Sequence, residues 1–131
     1  MLDHLFELNG LVVLRSAVAA HAAALGLPGT QCDDLVLLAN ELATNVIAHG
    51  GGRGRLLLWV ASDRVYCQVS DHGPGLSPDI AAGPSQPPLG ATSGRGLWLV
   101  RTLADELALH SDATGTTITA VLHRPDPIVQ P

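Results

Sequence analysis

Lysine is absent, and all seven basic residues are arginines. That absence excludes several routes to phosphate and cofactor chemistry. A Walker-type phosphate loop needs a lysine after its glycines. A eukaryotic-type protein kinase needs one on its third strand. A pyridoxal enzyme needs one for its Schiff base. Nor is there a basic excess: the net charge is −5, so a nucleic-acid binder with a basic stripe is not expected. Cysteine is scarce. Cys32 and Cys67 form no CxxC pattern and read as free buried thiols in a reducing cytosol. No long uninterrupted apolar run is present either. The stretch Leu11 to Leu27 is broken by Arg15 and His21 and is too short to span a bilayer. It reads as a buried amphipathic helix, and no membrane association is expected. Asp3 and Glu7 stand where a secretory leader would be positive. The expected location is cytoplasmic.

The chain has 131 residues, 47% of them hydrophobic, which fits one globular domain. A domain of this size buries roughly two-thirds of its unfolded surface, enough for a core without disulfide or metal. A first strand is predicted at 4–8. Asn9 is the predicted N-cap of a helix to about Leu25, closed by Gly26 and Pro28. A second helix starts at Thr30, takes Asp33 and Asp34 into its first turn, and stops at Gly50-Gly51-Gly52. Arg55–Ala61 and Arg64–Ser70 read as a hairpin around Ser62-Asp63. Residues 76–93 hold four prolines and no periodicity, which predicts a functional lid. A helix over about Gly96–Ala104 follows. Strands at Glu106–Ser111 and Thr116–His123 are joined by Asp112 to Gly115. Residues 1–124 form the expected domain, and 125–131 a flexible proline-rich tail. Elements in blocks with hairpins favour α+β: a two-layer sandwich with a mixed, mainly antiparallel sheet and helices on one face.

Three constellations carry chemistry. Glu41, Asn45 and His49 recur every fourth residue, so they share one helix face beside the apolar Leu37, Leu38, Leu42 and Val46. Mg²⁺ prefers oxygen ligands and shares phosphates, so Asn45 could give it an oxygen while Glu41 polarises a water or hydroxyl. A solvated polar face explains the same pattern. In Asp71-His72-Gly73-Pro74-Gly75 a strand ends in an acid and enters a Gly-x-Gly turn. Glycine lets backbone approach a ligand closely, and the carboxylate can accept from an exocyclic amine such as that of adenine. A tight Asx-type turn is the plainer explanation. Gly94-Arg95-Gly96-Leu97 opens a helix, whose bare amides suit an anion, and Arg95 could add a charged fork to phosphate. A loop simply closing onto a helix is the alternative. Gly115-Thr116-Thr117, at the start of the last strand, says little alone.

Taken in order, these segments resemble the GHKL, or Bergerat-fold, ATP-binding superfamily over about residues 30–123. Glu41-x-x-x-Asn45 is similar to its asparagine box, Asp71-x-Gly73-x-Gly75 to its first glycine box, Gly94-x-Gly96-Leu97 to its second, and Gly115-Thr116 to its terminal threonine motif. The resemblance implies ATP and Mg²⁺ as cofactors. It implies that Asn45 coordinates Mg²⁺, Glu41 acts as base or water positioner, and Asp71 binds the adenine amine. Gly73 and Gly75 would shape the pocket floor, and Gly94 and Gly96 would hold phosphate. Thr116, or Thr117 in its stead, would support the adenine through water.

The run Ala43-Thr44-Asn45-Val46-Ile47-Ala48-His49-Gly50 resembles the bacterial anti-sigma-factor serine/threonine-protein kinases. That likeness implies phosphoryl transfer to a serine of an antagonist protein in a transcription switch, and a sigma factor as a further partner. The competing expectation is a non-catalytic module that senses nucleotide and binds a protein. A metal protein built on His49, Asp71 and His72 is a third. A homodimer is also expected, because Arg55–Ala61 is apolar on both faces and would leave Trp59 in water.

Overall fold

The computed structural model describes residues 1–75 and 95–124; the lid expected at 76–93 and the tail expected at 125–131 lie outside them. β1 (Leu2–Glu7) runs through a 3₁₀ turn, Leu8–Gly10, into α1 (Leu11–Ala24). α2 (Gly29–His49) leads to the hairpin β2 (Arg53–Ala61) and β3 (Arg64–Asp71). After α3 (Arg95–Leu103) come β4 (Glu106–Asp112) and β5 (Gly115–His123). The five strands form one sheet in the order β1-β2-β3-β5-β4. Each of its pairings is antiparallel, so the described sheet holds no parallel pair.

The helices cover one face of this sheet. Alternation sends Leu56, Leu58, Val65, Cys67, Val69, Ile118, Ala120 and Leu122 into a core shared with Leu14 and Val18 of α1 and Leu35, Leu38, Leu42 and Val46 of α2. Those helical positions recur every three or four residues, as a single buried stripe requires. Fully burying one such leucine stabilises the fold by about 1.5–3 kcal/mol, and this is what fixes α2 across β2 and β3.

Two helix starts differ from expectation. Asn9 lies inside the 3₁₀ turn, and Gly10 precedes α1 without any side-chain cap. The tight turn that carries the chain off the strand takes the place of a capping residue. α2 begins at Gly29, where Cys32 N donates to the Pro28 carbonyl at 2.9 Å. Asp33 and Asp34 therefore fall beyond the first turn.

The helix-free face is less open at Trp59 than alternation suggests. Trp59 is half-buried and stacks on Tyr66 across the hairpin, ring centroids 5.1 Å apart and nearly parallel. The most exposed large apolar side chains lie instead from β1 through the 3₁₀ turn to the start of α1, Leu5, Leu8, Val12 and Val13, each at least 60% exposed, with Met1 before them and the less exposed Leu37 on α2.

Both cysteines are free. Cys67 is buried, and loss of hydration pushes its thiol up to about 12, whereas Cys32 is half-buried. Only thiolates react readily. A thiol reagent at pH 8 should therefore label one cysteine of the native chain, Cys32, and reach Cys67 only on unfolding. Prompt native labelling of both, read by mass spectrometry, would contradict this packing.

Candidate nucleotide site

The site grows from the end of α2. Glu41, Asn45 and His49 stand on one face of its last turns, each half-buried. Leu42 and Val46, between them in sequence, anchor that stretch in the core. The helix stops at Gly50, whose N–H donates to the Val46 carbonyl at 2.8 Å. Gly51 and Gly52 then take positive φ (89° and 85°), which turns the chain into β2 at little steric cost.

Gly50 is buried because Asp71 lies on it. A Cβ built there would sit 2.3 Å from Asp71 Oδ2. A Cβ on Gly73 would come within 2.4 Å of the Gly50 carbonyl carbon. The first Gly-x-Gly turn is thus pressed on the helix end, and side chains at either position would force them apart. Gly75, with φ 86°, backs on the Asp112 carbonyl in the same way.

Asp71 is 8% exposed, so its carboxylate must be compensated. It also faces the negative end of α2. Two backbone amides meet the demand: Gly73 N at 2.8 Å and Thr116 N at 3.3 Å both donate to Oδ1. None of the described hydrogen bonds uses Oδ2. One oxygen is held and the other is turned toward the helix end, which is the arrangement an N–H of a ligand can use.

A narrow crevice brings Asn45, Asp71 and Thr116 together with Leu42, Val46, Val69 and Ile118. Its walls are apolar with a few convergent polar groups, as in ligand sites, but at about 10 Å³ it has room for one water, so a ring enters only if the crevice widens. Glu41 and His49 do not line it; they stand one turn to either side of Asn45. Thr116 shares the core face with Asp71, its register partner. Thr117 points the other way, into a broader groove on the helix-free face beside Arg55, Ser70, His72 and His110. Strand alternation therefore removes Thr117 as a stand-in for Thr116.

Leu97 is buried in α3, which packs on α2. Its contribution is to the core. Arg95 and Gly96 form the first positions of α3, and Gly94 lies outside the described residues. Among the described residues no three His, Cys, Asp or Glu side chains come together as metal ligands, which removes the His49–Asp71–His72 reading. Two contacts were missed by sequence reasoning. Gly50 read as a helix stop and as the end of the run from Ala43, with no sign that Asp71 lies on it. Ser111, whose Oγ is 2.8 Å from Thr116 Oγ1, carries no motif at all.

The family model of the histidine kinase-like ATPase domain matches residues 6–122. The chain belongs to this family. No curated protein sequence matches it. Among solved structures it is similar to the RsbU and RsbW domains of Rv1364c from Mycobacterium tuberculosis, with TM-score 0.66 and 18% identity over 95% of this chain and 33% of that one. It is similar to the histidine kinase domain of the Erythrobacter litoralis EL346 blue-light activated histidine kinase, with TM-score 0.53 and 25% identity over 70% of this chain and 46% of that one. It is also similar to the histidine kinase domain of the E. coli osmosensor EnvZ, with TM-score 0.54 and 19% identity over 98% and 92%. The chain spans about a third of the first of these and about half of the second. These likenesses agree with the GHKL fold. No described helix is long and apolar enough to cross a membrane.

Proposed function

We propose that this histidine kinase-like ATPase domain is a cytoplasmic serine/threonine-protein kinase of the anti-sigma-factor type. The observation that carries the reading is Asp71: a buried carboxylate with one oxygen held by two amides, opening on an apolar crevice that also holds Asn45 and Thr116. Such a group is costly to bury and suits an amine-bearing purine. Asp71 would accept the adenine N–H, with Thr116 beside it. Gly73 and Gly75 would let the turn pack on Gly50 and Asp112 and so hold Asp71 at the floor of the pocket. The amide oxygen of Asn45, one turn from Glu41, would hold Mg²⁺. Gly94, Arg95 and Gly96 would meet the phosphates at the start of α3. Bound ATP·Mg²⁺ supplies the phosphoryl group. Glu41 would take the proton of the attacking serine hydroxyl at its carboxylate as the new O–P bond forms and the bond from the γ-phosphorus to the β–γ bridging oxygen breaks, with ADP as the leaving group.

The anti-sigma type rests on the run through Asn45 to Gly50 and on the fold similarity to a protein that carries an RsbW domain. The partners are then an antagonist protein bearing the serine, and a sigma factor. The test is direct. The purified chain, labelled ATP and candidate antagonists from the same genome should give a serine-phosphorylated product. ATP binding without transfer to any of them would favour a nucleotide-sensing module instead.

A homodimer belongs to the same proposal, supported by the apolar side chains exposed on β1 and α1. Light scattering at micromolar concentration should return twice the 13.6 kDa of one chain. A mass of one chain would reject it.

A further inference from the structure

Ser111 lies on β4, outside the four motifs, yet it touches two of them. Its Oγ is 2.8 Å from Thr116 Oγ1, an ordinary O–H···O distance. Thr116 is its register partner, and Asp71 is the register partner of Thr116 on the other side. The three side chains form a row on the core face. Ser111 also backs the glycine turn: a Cβ on Gly75 would lie 3.1 Å from Ser111 Oγ.

We propose that Ser111 is a positioning residue for the purine end of the site, its hydroxyl fixing the direction of the Thr116 hydroxyl beside Asp71. This rests on the ATP reading above. Thr116 is buried at 4% exposure, and a buried hydroxyl needs a partner. One hydrogen, from either hydroxyl, lies between the two oxygens. Whichever donates, the pair sets what Thr116 presents to the crevice, as lone pair or as hydrogen. Without Ser111 Oγ the Thr116 hydroxyl can rotate, and its order must be imposed when the base binds. Thr116 thus stands between Ser111 of β4 and Asp71 of β3, to whose Oδ1 its N–H donates. Ser111 therefore acts on recognition of the base edge, at a distance from the phosphates. A plain cross-strand Ser–Thr pair would support the hairpin alone.

The two roles separate in a comparison of ATP with inosine triphosphate, which lacks the exocyclic amine. By calorimetry on the full chain, Ser111→Ala should weaken ATP by about fivefold, the size of one neutral hydrogen bond. It should weaken inosine triphosphate less, narrowing the preference between them. Ser111→Thr, which keeps the hydroxyl, should restore the preference. The double variant with Thr116→Val should lose no more than Thr116→Val alone. An unchanged ATP preference in Ser111→Ala, or equal weakening of both nucleotides, overturns the inference and leaves the ATP site standing. A parent chain that binds no ATP overturns both. Where Ser111→Ala unfolds, Ser111→Cys decides the matter. Its weak S–H donor narrows the preference if Ser111 positions Thr116 and leaves it unchanged if it does not.

Discussion

Glu41→Ala should bind ATP as the parent does and transfer phosphate about 10²–10⁴ times more slowly, the usual cost of removing a positioned base. Three features point this way. Glu41 does not line the crevice holding Asp71 and Thr116, so recognition of the base should survive. It sits mid-helix, where alanine is the best helix former, so α2 should not weaken. And it lies one turn from Asn45, the proposed Mg²⁺ ligand. Glu41→Gln keeps the shape and loses the base, and should be similarly slow. Some transfer should persist, because positioning and electrostatics supply much of phosphoryl-transfer catalysis. Single-turnover rates with a true protein substrate are the measurement. Equal rates in parent and variant would take Glu41 out of the mechanism.

Asp71→Asn should weaken ATP about tenfold to a hundredfold, as expected for a hydrogen bond to a charged group worth about 1.5–3 kcal/mol. The substitution is nearly isosteric. Asparagine can place its one carbonyl oxygen where Oδ1 now receives Gly73 N and Thr116 N. The amide nitrogen then stands where Oδ2 stood and offers a donor to a donor. The fold is retained while the contact to the amine is reversed. Calorimetry checks it, with the melting temperature as control. An Asp71→Asn variant that binds ATP as tightly as the parent, while folded, would place the purine elsewhere.

The secondary structure was readable because each element carries its own period. β3 alternates without a break from Val65 to Asp71, and α2 keeps one apolar stripe from Leu35 to Val46. What could not be read is non-local. Nothing in Leu2–Glu7 says that it pairs with β2 as an edge strand along its whole length, with the exposed Asp3 accepting two hydrogen bonds from Arg55 across the join. Asn9 has the right chemistry for a cap, but capping depends on the direction from which the chain arrives. The site shows the same division. Asp71, Gly73 and Gly75 announce a turn, and the family resemblance supplies their roles. That Gly73 must be bare because Gly50 lies against it is a contact between segments far apart in sequence. Thr116 and Thr117 are indistinguishable as letters, and only the register against Asp71 separates them. Ser111 follows from that register too, once the turn at Ala113-Thr114 sets it opposite Thr116.

Glu41 and Asn45 stand on one unbroken helix that stops at Gly50, and this bears on how the chain can vary in length. A helix counts residues. Adding or deleting one between Asn45 and Gly50 would turn everything before it by about 100° and shift it about 1.5 Å relative to Asp71. Asn45 would leave the crevice, and Glu41 would turn away with it from its place one turn beyond. Thr44 and Ala48 are exposed, so their identities are free to drift while their number is not. The turn at Ser62-Asp63, at the opposite end of β3, is under no such constraint. Relatives that keep the site should therefore carry their insertions there, and never in the last turn of α2.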